Sequence, residues 1–378
     1  MKQPLQIQQD HRIASGPGER GLVSVVIPTF NRAYILGRAI ESVLAQSYRP
    51  VEIIVADDGS TDGTRQLVER YGPPVRYFFQ ENAGVSAARN LGLSHVRGEF
   101  IALLDSDDRW LPWKLEAQVR LIESFAELGM VWTDMAAVNE AGQMLHEAFL
   151  RKFYGAFDQV RTEEIFEQSG RLADFWPAAP AEHAGRRFFA GDIFSPMILG
   201  NLVHTSTVLL RRERLRAVGG FDLSLKKAGE DYDFHLRTCR CGPVGFLDVS
   251  SIEYRIEAVD QLTAPPLLVH LARNNLRTVV RALESDRELI SLSDSSIRRR
   301  LADCHEWLGR EELRFGEPSR ARTHLWQSLR LRPNQPRIAV LWLLSLLPTV
   351  FYRTTQRLRR FLRTHASATK ILSDVATH

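Results

Sequence analysis

Short apolar runs alternate with amphipathic stretches through the first hundred residues of the chain. Four runs are β-branched, apolar and nearly unbroken, which is typical of strands buried on both faces. These runs are Leu22–Pro28, Val51–Ala56, Val75–Phe79 and Phe100–Leu104. Stretches with helical spacing follow them, at Ala33–Gln46, at Arg65–Tyr71 and after Gly84. This alternation predicts a Rossmann-like α/β fold, in which helices cover both faces of a mostly parallel central sheet.

Polar residues follow three of these strands at the point where each strand ends. They are Thr29, Asn31 and Arg32 after the first, Asp57 and Asp58 after the second, and Asp105, Asp107 and Asp108 after the fourth. The carboxyl ends of parallel strands lie at one edge of a sheet, where open α/β sheets bind ligands. Asp105 and Asp107 form an Asp-x-Asp pair whose oxygens suit Mg²⁺ or Mn²⁺. The alternative is a cluster of helix-capping aspartates.

The middle of the chain is less regular. We expect a helix over Trp113–Leu128 and a strand over Met130–Thr133, after which Asp134 contacts a sugar hydroxyl or only forms a turn. Residues 150–200 lack periodicity, and a structureless loop of that length is uncommon in a compact domain. We therefore expect short helices there that shape one side of a ligand site, with aromatic residues that either stack on the ligand or pack into the core.

Strand character returns at Asn201–Leu210, where His204 is either structural, a metal ligand or an acceptor contact. A helix is predicted to begin in the string Gly229-Glu-Asp-Tyr-Asp, which places Glu230 and Asp231 in its first turn. Acids in a first helical turn are favoured by the helix dipole, so they need no functional explanation. His235 is expected on the surface of this helix.

The chain becomes helical from Leu267 onward. Leu268–Leu283 is amphipathic, and Ile297–Pro333 resembles one tetratricopeptide-type helix pair. A single such repeat cannot bury its own apolar face, so it packs on the catalytic domain or presents a groove to a partner protein. The apolar stretch Ile338–Tyr352 precedes five arginines between Arg353 and Arg363. That combination suits contact with an anionic membrane surface, although helix packing explains its apolar part equally well.

Composition narrows the class of protein. The chain has 378 residues, 44% of them hydrophobic and 25% charged, as in ordinary globular proteins. A net charge of +4 does not indicate a nucleic-acid partner. The three cysteines form no Cys-x-x-Cys pair, which fits a reducing cytoplasm and argues against a zinc site. Residues 1–21 are polar and are predicted to form a flexible leader rather than a secretory signal.

Four ordered strings resemble glycosyltransferase family 2: VSVVIPTFNR, IVADDGSTDGT, ENAGVSAARNLGL and GEFIALLDSDDRWLP. The resemblance covers residues 22–265 and implies the nucleotide-sugar-binding GT-A fold and an inverting mechanism. It implies three regions: the leader, a catalytic domain over 22–265 with a variable acceptor-side insertion at 150–200, and a helical region with a basic tail over 266–378.

The resemblance also implies a role for each matched residue. The implied donor-binding residues are Pro28, Thr29, Asn31, Arg32, Asp57, Asp58, Arg89, Asp105 and Ser106. The first four would line the nucleotide pocket, the next two would contact base and ribose, and Arg89 would lie near the phosphates unless it is a surface arginine paired with an acid. Asp107, with Asp105, would hold Mn²⁺ or Mg²⁺. Asp231 would be the general base, with Glu230 as the second candidate.

These residues together predict an inverting enzyme that moves one sugar from a nucleotide-diphosphate sugar. We expect a UDP-sugar rather than a GDP- or dTDP-linked donor, and a cell-envelope glycan or lipid-linked acceptor. The expected location is the cytoplasm, including the inner face of the membrane. Two alternatives stay open: a nucleotidyltransferase on a related fold, and a non-catalytic glycan-binding or scaffold protein.

Overall fold

The computed structural model describes residue 16, residues 18–256 and residues 267–346. The chain divides into two compact units. The first contains Met1–His270 and Arg281–Leu292, and the second contains Leu271–Val280 and Ser293–His378. The basic tail and most of the predicted leader lie outside the described residues. Compared with the predicted boundary at residue 265, the first unit also contains the segment beginning at Arg281, whose guanidinium pairs with Asp222 at 2.8 Å.

One sheet organises the described part of the first unit. Its eleven strands are β1 (Glu19–Thr29), β2 (Val51–Asp57), β3 (Val75–Phe79), β4 (Gly98–Leu103), β5 (Arg109–Trp110), β6 (Met130–Val138), β7 (Met144–His146), β8 (Gln168–Arg171), β9 (Arg187–Gly191), β10 (Leu209–Arg211) and β11 (Val244–Arg255). The spatial order is β3-β2-β1-β4-β10-β6-β11-β9-β8, with β5 beside β11 and β7 beside β6. The leader prediction was wrong at its end, because β1 begins at Glu19.

The direction of the strands changes along the sheet. Strands β1 to β4 are mutually parallel, as predicted, and strand β6 is parallel to β11. Strand β10 is antiparallel to both β4 and β6, and β9 is antiparallel to β11. The α/β class is therefore confirmed, but the sheet is mixed rather than mostly parallel. Because β10 reverses direction between its neighbours, the carboxyl ends of β4, β6 and β11 still lie at one edge of the sheet.

The helices cover the sheet or form the second unit. They are α1 (Ala33–Leu44), α2 (Thr64–Glu69), α3 (Val85–Ser94), α4 (Lys114–Ser124), α5 (Leu150–Phe153), α6 (Thr162–Ile165), α7 (Leu172–Phe175), α8 (Ala181–Ala184), α9 (Phe194–Ile198), α10 (Arg212–Val218), α11 (Glu230–Arg240), α12 (Leu268–Ser285), α13 (Asp294–Arg314), α14 (Pro318–Leu331) and α15 (Pro336–Leu344). Short helices do occupy residues 150–200, as expected, together with strands β8 and β9.

The predicted strand at Asn201–Leu210 was wrong over most of its length. Residues 205–207 form a 3-10 turn, and only Leu209–Arg211 pairs with the sheet. The turn is stabilised by local hydrogen bonds, in which the Thr207 N–H and hydroxyl both donate to the His204 carbonyl. Threonine and serine side chains that bond to nearby backbone compete with strand pairing in this way.

The second unit contains the predicted helix pair, α13 and α14, followed by α15. Its buried core is Leu313, Ala321, Leu325 and Ile338. Gly309 lets the two helices approach closely, since a Cβ there would lie 2.9 Å from Leu325 Cγ. Among the described helices, none combines the length and apolarity needed to cross a bilayer.

Helix α3 packs against β1 through a glycine. Gly92 is buried over Val26, and a Cβ added at Gly92 would lie 2.3 Å from Val26 Cγ1. A helix residue that packs this closely on a branched side chain of a strand can only be very small. The glycine therefore sets the distance between β1 and the helix that carries Arg89.

Replacing Gly92 with alanine should destabilise the first unit. Overpacking of a well-packed contact costs about 1–3 kcal/mol, and we expect Gly92→Ala to lower the thermal unfolding midpoint accordingly. Gly185→Ala is the matched control, because a Cβ at Gly185 meets nothing within 4 Å. Equal unfolding midpoints for the two variants would contradict the close packing of α3 on β1.

Candidate active site

The carboxyl end of β1 forms a compact turn with the loop after β2. Asn31 adopts a positive φ of 51°, in the left-handed region that few residues other than glycine enter. Its backbone N–H donates to Ser60 Oγ at 2.8 Å, and its side-chain Oδ1 accepts from the Thr61 N–H at 2.8 Å. Pro28 and Thr29 are buried directly before this turn. The two predicted donor-binding loops are thus joined to each other.

Asp57 and Asp58 are both buried, and the carboxylates of both accept hydrogen bonds from other groups of the protein. Asp57 accepts from the Tyr77 hydroxyl at 2.7 Å and from the Ser60 N–H at 2.8 Å. Asp58 accepts from the Gln80 side chain at 2.7 Å and from the Gly84 N–H at 2.8 Å. These bonds fix the loops after β2 and β3 relative to each other.

The loop after β4 carries three aspartates in different surroundings. Asp107 has 13% of its side chain exposed and pairs with Arg32 at 2.9 Å and with Arg255 at 3.6 Å. Arg32 also donates to Ser106 Oγ at 3.3 Å. Two guanidinium groups from the ends of β1 and β11 therefore flank the predicted metal ligand.

Asp108 is buried behind Asp107 and accepts a hydrogen bond from Ser206 Oγ. Burial, followed by the negative charges of Asp107 and Asp105, raises the pKa of Asp108 well above its ordinary value. Burial also raises the pKa of Asp107, and Asp105 adds to the shift although Arg32 opposes it. Carboxylates that are hard to ionise next to each other are stabilised by a bound cation, and hard oxygen ligands suit Mg²⁺ or Mn²⁺.

The donor set therefore fits a divalent cation chemically, with Asp105 and Asp107 as the protein ligands. No group of three or more histidine, cysteine or acidic side chains in the described residues is arranged to hold a metal by itself. Mg²⁺ commonly takes only one or two carboxylates and completes its shell with water and substrate phosphates. The prediction of metal binding by Asp107 stays a prediction.

Arg89 lies between the predicted donor side and the predicted base. It is 3% exposed, and its two terminal nitrogens donate to different acids: Nη2 to Asp105 Oδ1 at 2.8 Å and Nη1 to Glu230 Oε1 at 2.6 Å. Burial alone would lower the pKa of Arg89, but Asp105 and Glu230 raise it overall. The surface location considered for Arg89 was wrong, since the guanidinium is buried between the two carboxylates.

Helix α11 begins with Glu230 and Asp231 after Gly229, whose φ of 86° is left-handed. Glu230 is buried on Arg89, whereas Asp231 Oδ2 accepts a long hydrogen bond from Asn201 Nδ2 at 3.4 Å. Burial, followed by the negative charge of Glu230, raises the pKa of Asp231 to about 7. Asp231 is thus the acid of this pair whose environment suits proton exchange near neutral pH.

Residues 201–206 connect the two acidic regions. Asn201 contacts Asp231 at one end, and at the other end Ser206 Oγ accepts from the Asp105 N–H at 3.0 Å. His204 lies between them and is 7% exposed. Burial lowers the pKa of His204 to about 4, so the imidazole is neutral at physiological pH.

The prediction for His235 is wrong, and of the two roles left open for Asp134 its surroundings favour the structural one. His235 is fully buried rather than on the helix surface, with Nε2 3.4 Å from Thr205 Oγ1. Asp134 is 1% exposed and accepts from the Met135 and Leu150 N–H groups, with Arg151 at 3.2 Å. Asp134 therefore fixes the start of α5 instead of facing a ligand.

Arg255 is a site residue that the sequence reasoning missed. It is the last of the twelve residues of β11, and that strand ends at the same sheet edge as β4. The rule that located the aspartates, a polar residue at the carboxyl end of a strand, also applies to Arg255. The sequence pattern does not predict strand β11, so it gives no strand end at Arg255 to which that rule would apply.

Comparison with known proteins gives one family match. Residues 24–176 match the family described as Glycosyl transferase family 2. An uncharacterized glycosyltransferase of Rickettsia typhi is 29% identical over 225 residues, which are 60% of this chain and 61% of that protein. TuaG of Bacillus subtilis, named for teichuronic acid biosynthesis, is 39% identical over 105 residues, 27% of this chain and 42% of that protein.

The chain spans less than two thirds of the length of the first of these relatives, at 61%. Among solved structures, residues 1–349 of S. aureus TarS superpose with a TM-score of 0.52 and 19% identity, covering 84% of this chain and 82% of that one. This likeness confirms the predicted GT-A type of α/β fold with an added helical region. Residues 24–176 of this chain are thus similar to Glycosyl transferase family 2 in sequence, and the fold is similar to that of TarS.

Proposed function

We propose that the protein is an inverting glycosyltransferase that moves one sugar from a nucleotide-diphosphate sugar, a UDP-sugar in the first instance, to an acceptor hydroxyl. The observation that carries the proposal is the pair of hydrogen bonds made by Arg89, which joins Asp105, 16 residues away in sequence, to Glu230, 141 residues away. Through it, the acids after β4 adjoin the acids of α11. One site thus has the two acidic sides that inverting transfer needs.

The donor side is formed by the ends of β1, β2, β4 and β11. We assign the nucleotide to the turn containing Pro28, Thr29 and Asn31, with Asp57 and Asp58 beside it. Thr29 supports this assignment, because its Oγ1 is buried and has no hydrogen-bond partner among the described residues. Arg32, Ser106 and Arg255 surround Asp107, so they are placed to receive the negatively charged diphosphate.

Asp107 and Asp105 would hold Mn²⁺ or Mg²⁺ together with the diphosphate. When bound, such a cation neutralises charge that builds on the departing nucleoside diphosphate. Arg89 serves this side by holding Asp105 in place, and we revise its role from a direct phosphate contact to that of a positioning residue.

Asp231 is the proposed base. Inversion is a direct displacement, so the acceptor hydroxyl attacks the anomeric carbon opposite the leaving diphosphate and gives up its proton there. A base is most effective when its pKa lies near the working pH, and Asp231 meets that condition. Glu230 holds the Arg89 guanidinium, which leaves Asp231 as the acid available to the acceptor.

The acceptor proposal rests on similarity rather than geometry. The likeness to TuaG supports an acceptor in cell-envelope glycan synthesis, polymeric or lipid-linked. We further propose that the protein works in the cytoplasm at the membrane face, where the arginines between residues 353 and 363 contact anionic lipid. The pair α13 and α14 is proposed to be a tetratricopeptide-like repeat that packs on its own chain or binds a partner protein.

Nucleotide-sugar binding is the first test. Screening UDP-, GDP- and dTDP-sugars with Mn²⁺ should raise the unfolding temperature for one donor class, because a ligand that binds only the folded state stabilises it. That donor should then release nucleoside diphosphate slowly without acceptor, and EDTA should stop the release. We expect Asp107→Ala to reduce it at least a hundredfold. Asp158→Ala, an acid outside the site, is the control.

The alternatives predict other products. A nucleotidyltransferase would release pyrophosphate from a nucleoside triphosphate and a sugar phosphate, and a scaffold protein would release neither product. Full activity in Asp107→Ala would remove the cation assignment.

Activity should follow the ionisation of Asp231. Because the carboxylate is the active form of a base, kcat/KM should rise with pH and level off above about 7. Asp231→Asn should lose about 10²–10⁴-fold in rate, the usual contribution of a positioned base. Removing the negative charge in Glu230→Gln should shift the rising limb to lower pH. If the rise survives in Asp231→Asn but disappears in Glu230→Gln, the base is Glu230.

We expect that lysine cannot replace Arg89 in its hydrogen bonds to Asp105 and Glu230. Lysine presents one point charge and cannot make two divergent hydrogen bonds as a guanidinium does. Removing a partner from a buried ion pair costs about 3–5 kcal/mol, so Arg89→Lys should lower both the unfolding midpoint and kcat. Arg65→Lys, on a salt bridge whose arginine side chain is 67% exposed, should change neither. Wild-type stability and kcat in Arg89→Lys would contradict the bridge.

A further inference from the structure

Four aromatic side chains from three separate segments form one cluster, which we call the aromatic wall: Phe153, Tyr154, His204 and Tyr254. The rings of Phe153 and Tyr154 are 4.8 Å apart, and those of Phe153 and Tyr254 are 5.4 Å apart. His204 lies edge-on to Tyr254 at 4.9 Å and to Phe153 at 6.0 Å. Phe153, Tyr154 and Tyr254 are only partly buried, so the wall has an accessible side.

The aromatic wall is connected in sequence to both acidic sides of the site. His204 belongs to the segment whose Asn201 contacts Asp231 and whose Ser206 contacts Asp105. Tyr254 directly precedes Arg255, which pairs with Asp107. The segment of His204 therefore reaches both the proposed base and the loop of the proposed cation ligands, and Tyr254 adjoins the cation side.

Tyr154 has an unusual position within the wall. Its ring lies edge-on to that of Phe153, and burial, followed by the negative charge of Asp231, raises the pKa of its phenol well above the ordinary value. The hydroxyl makes no hydrogen bond within the residues that the structure describes. By contrast, the phenols of Tyr77 and Tyr232 donate to Asp57 and to the Met197 carbonyl, both at 2.7 Å. A phenol whose hydroxyl has no partner among the described residues is a hydrogen-bond donor that a ligand can use.

We propose that the aromatic wall binds the acceptor as a sugar ring, whose C–H face packs on the aromatic rings while the Tyr154 hydroxyl donates to a sugar oxygen next to the attacking hydroxyl. A sugar ring has an apolar face of C–H bonds and a polar rim of hydroxyls. An aromatic surface with one free donor and a neighbouring base matches both features.

The proposal rests on the proposed function and adds the acceptor subsite to it. Packing of the wall into the core would explain the ring contacts, but it would not explain a partly buried phenol left without a hydrogen-bond partner in the described part of the chain. The aromatic residues of segment 150–200 thus divide into two groups. Trp176, 2% exposed, and Phe189, 1% exposed, belong to the core, whereas Phe153 and Tyr154 are only partly buried and belong to the aromatic wall.

The test uses the full chain, the donor found by thermal shift, Mn²⁺, and octyl glycosides of glucose, galactose, mannose and N-acetylglucosamine as acceptors. Release of nucleoside diphosphate is measured with and without each glycoside. For the wild type we expect at least one glycoside to stimulate release in a saturable way. Tyr154→Phe removes only the hydroxyl, and it should lower the ratio of stimulated to acceptor-free release about tenfold, the size of one hydrogen bond to a ligand.

Tyr71→Phe is the matched control, because it removes a phenol that donates to Glu41 on the far side of α1, and it should leave the ratio at its wild-type value. A Phe153→Leu variant keeps an apolar side chain while removing a ring, and it should raise the KM for the stimulating glycoside more than it lowers kcat.

Three outcomes would overturn the acceptor assignment. They are an unchanged ratio in Tyr154→Phe, a rise in donor KM during acceptor-free release in that variant, and a wild type that releases nucleoside diphosphate but is stimulated by no glycoside. A wild type that neither binds nor turns over any nucleotide sugar would instead overturn the proposed function, so the two failures are distinguishable.

Discussion

The rest of the site depends on one buried cation, the guanidinium of Arg89. An arginine with 3% of its side chain exposed must have its charge balanced, since the desolvation of an unpaired ion costs several kcal/mol. Two carboxylates from distant parts of the sequence, Asp105 and Glu230, supply that balance. If either one moves away, the guanidinium loses one of its two buried partners. The requirement for neutrality thus holds the loop after β4 and the start of α11 together.

The charge of Arg89 also affects the pKa of the surrounding acids differently. Asp105 and Glu230 face the guanidinium, which lowers the pKa of Asp105 despite its burial. Asp231 and Asp108 lie beyond its direct hydrogen bonds, and burial together with the like charges nearby raises the pKa of both. The same site therefore contains Asp105, whose pKa the guanidinium lowers, and Asp231, whose pKa burial raises to about 7. Pairs of titratable groups driven apart in this way are characteristic of acid–base sites.

The sequence predicted the parts of this arrangement that depend on local pattern. Strands β1 to β4 and the acids after them follow from apolar runs and their ends, and the start of α11 follows from Gly229 and the acids after it. What could not be predicted depends on pairing between distant segments. His235 is buried against Thr205, which belongs to the 3-10 turn at residues 205–207. That run of threonine and serine was predicted to be a strand. Arg255 was missed because β11 alternates weakly, and Arg89 was assigned to phosphate because nothing local reveals Glu230 as its partner.

Strands β6 and β10 are neighbours in the sheet, although residues 139–208 separate them in sequence. Between them the chain forms β7, β8 and β9, which pair within the same sheet, and the short helices α5 to α9. None of the strands β2, β1, β4 and β10 lies in residues 139–200, so a change of length there need not alter how those four strands pair. Chimaeric proteins joined at Val138 and Asn201 would exchange residues 139–200 while keeping the ends of β1, β2 and β4.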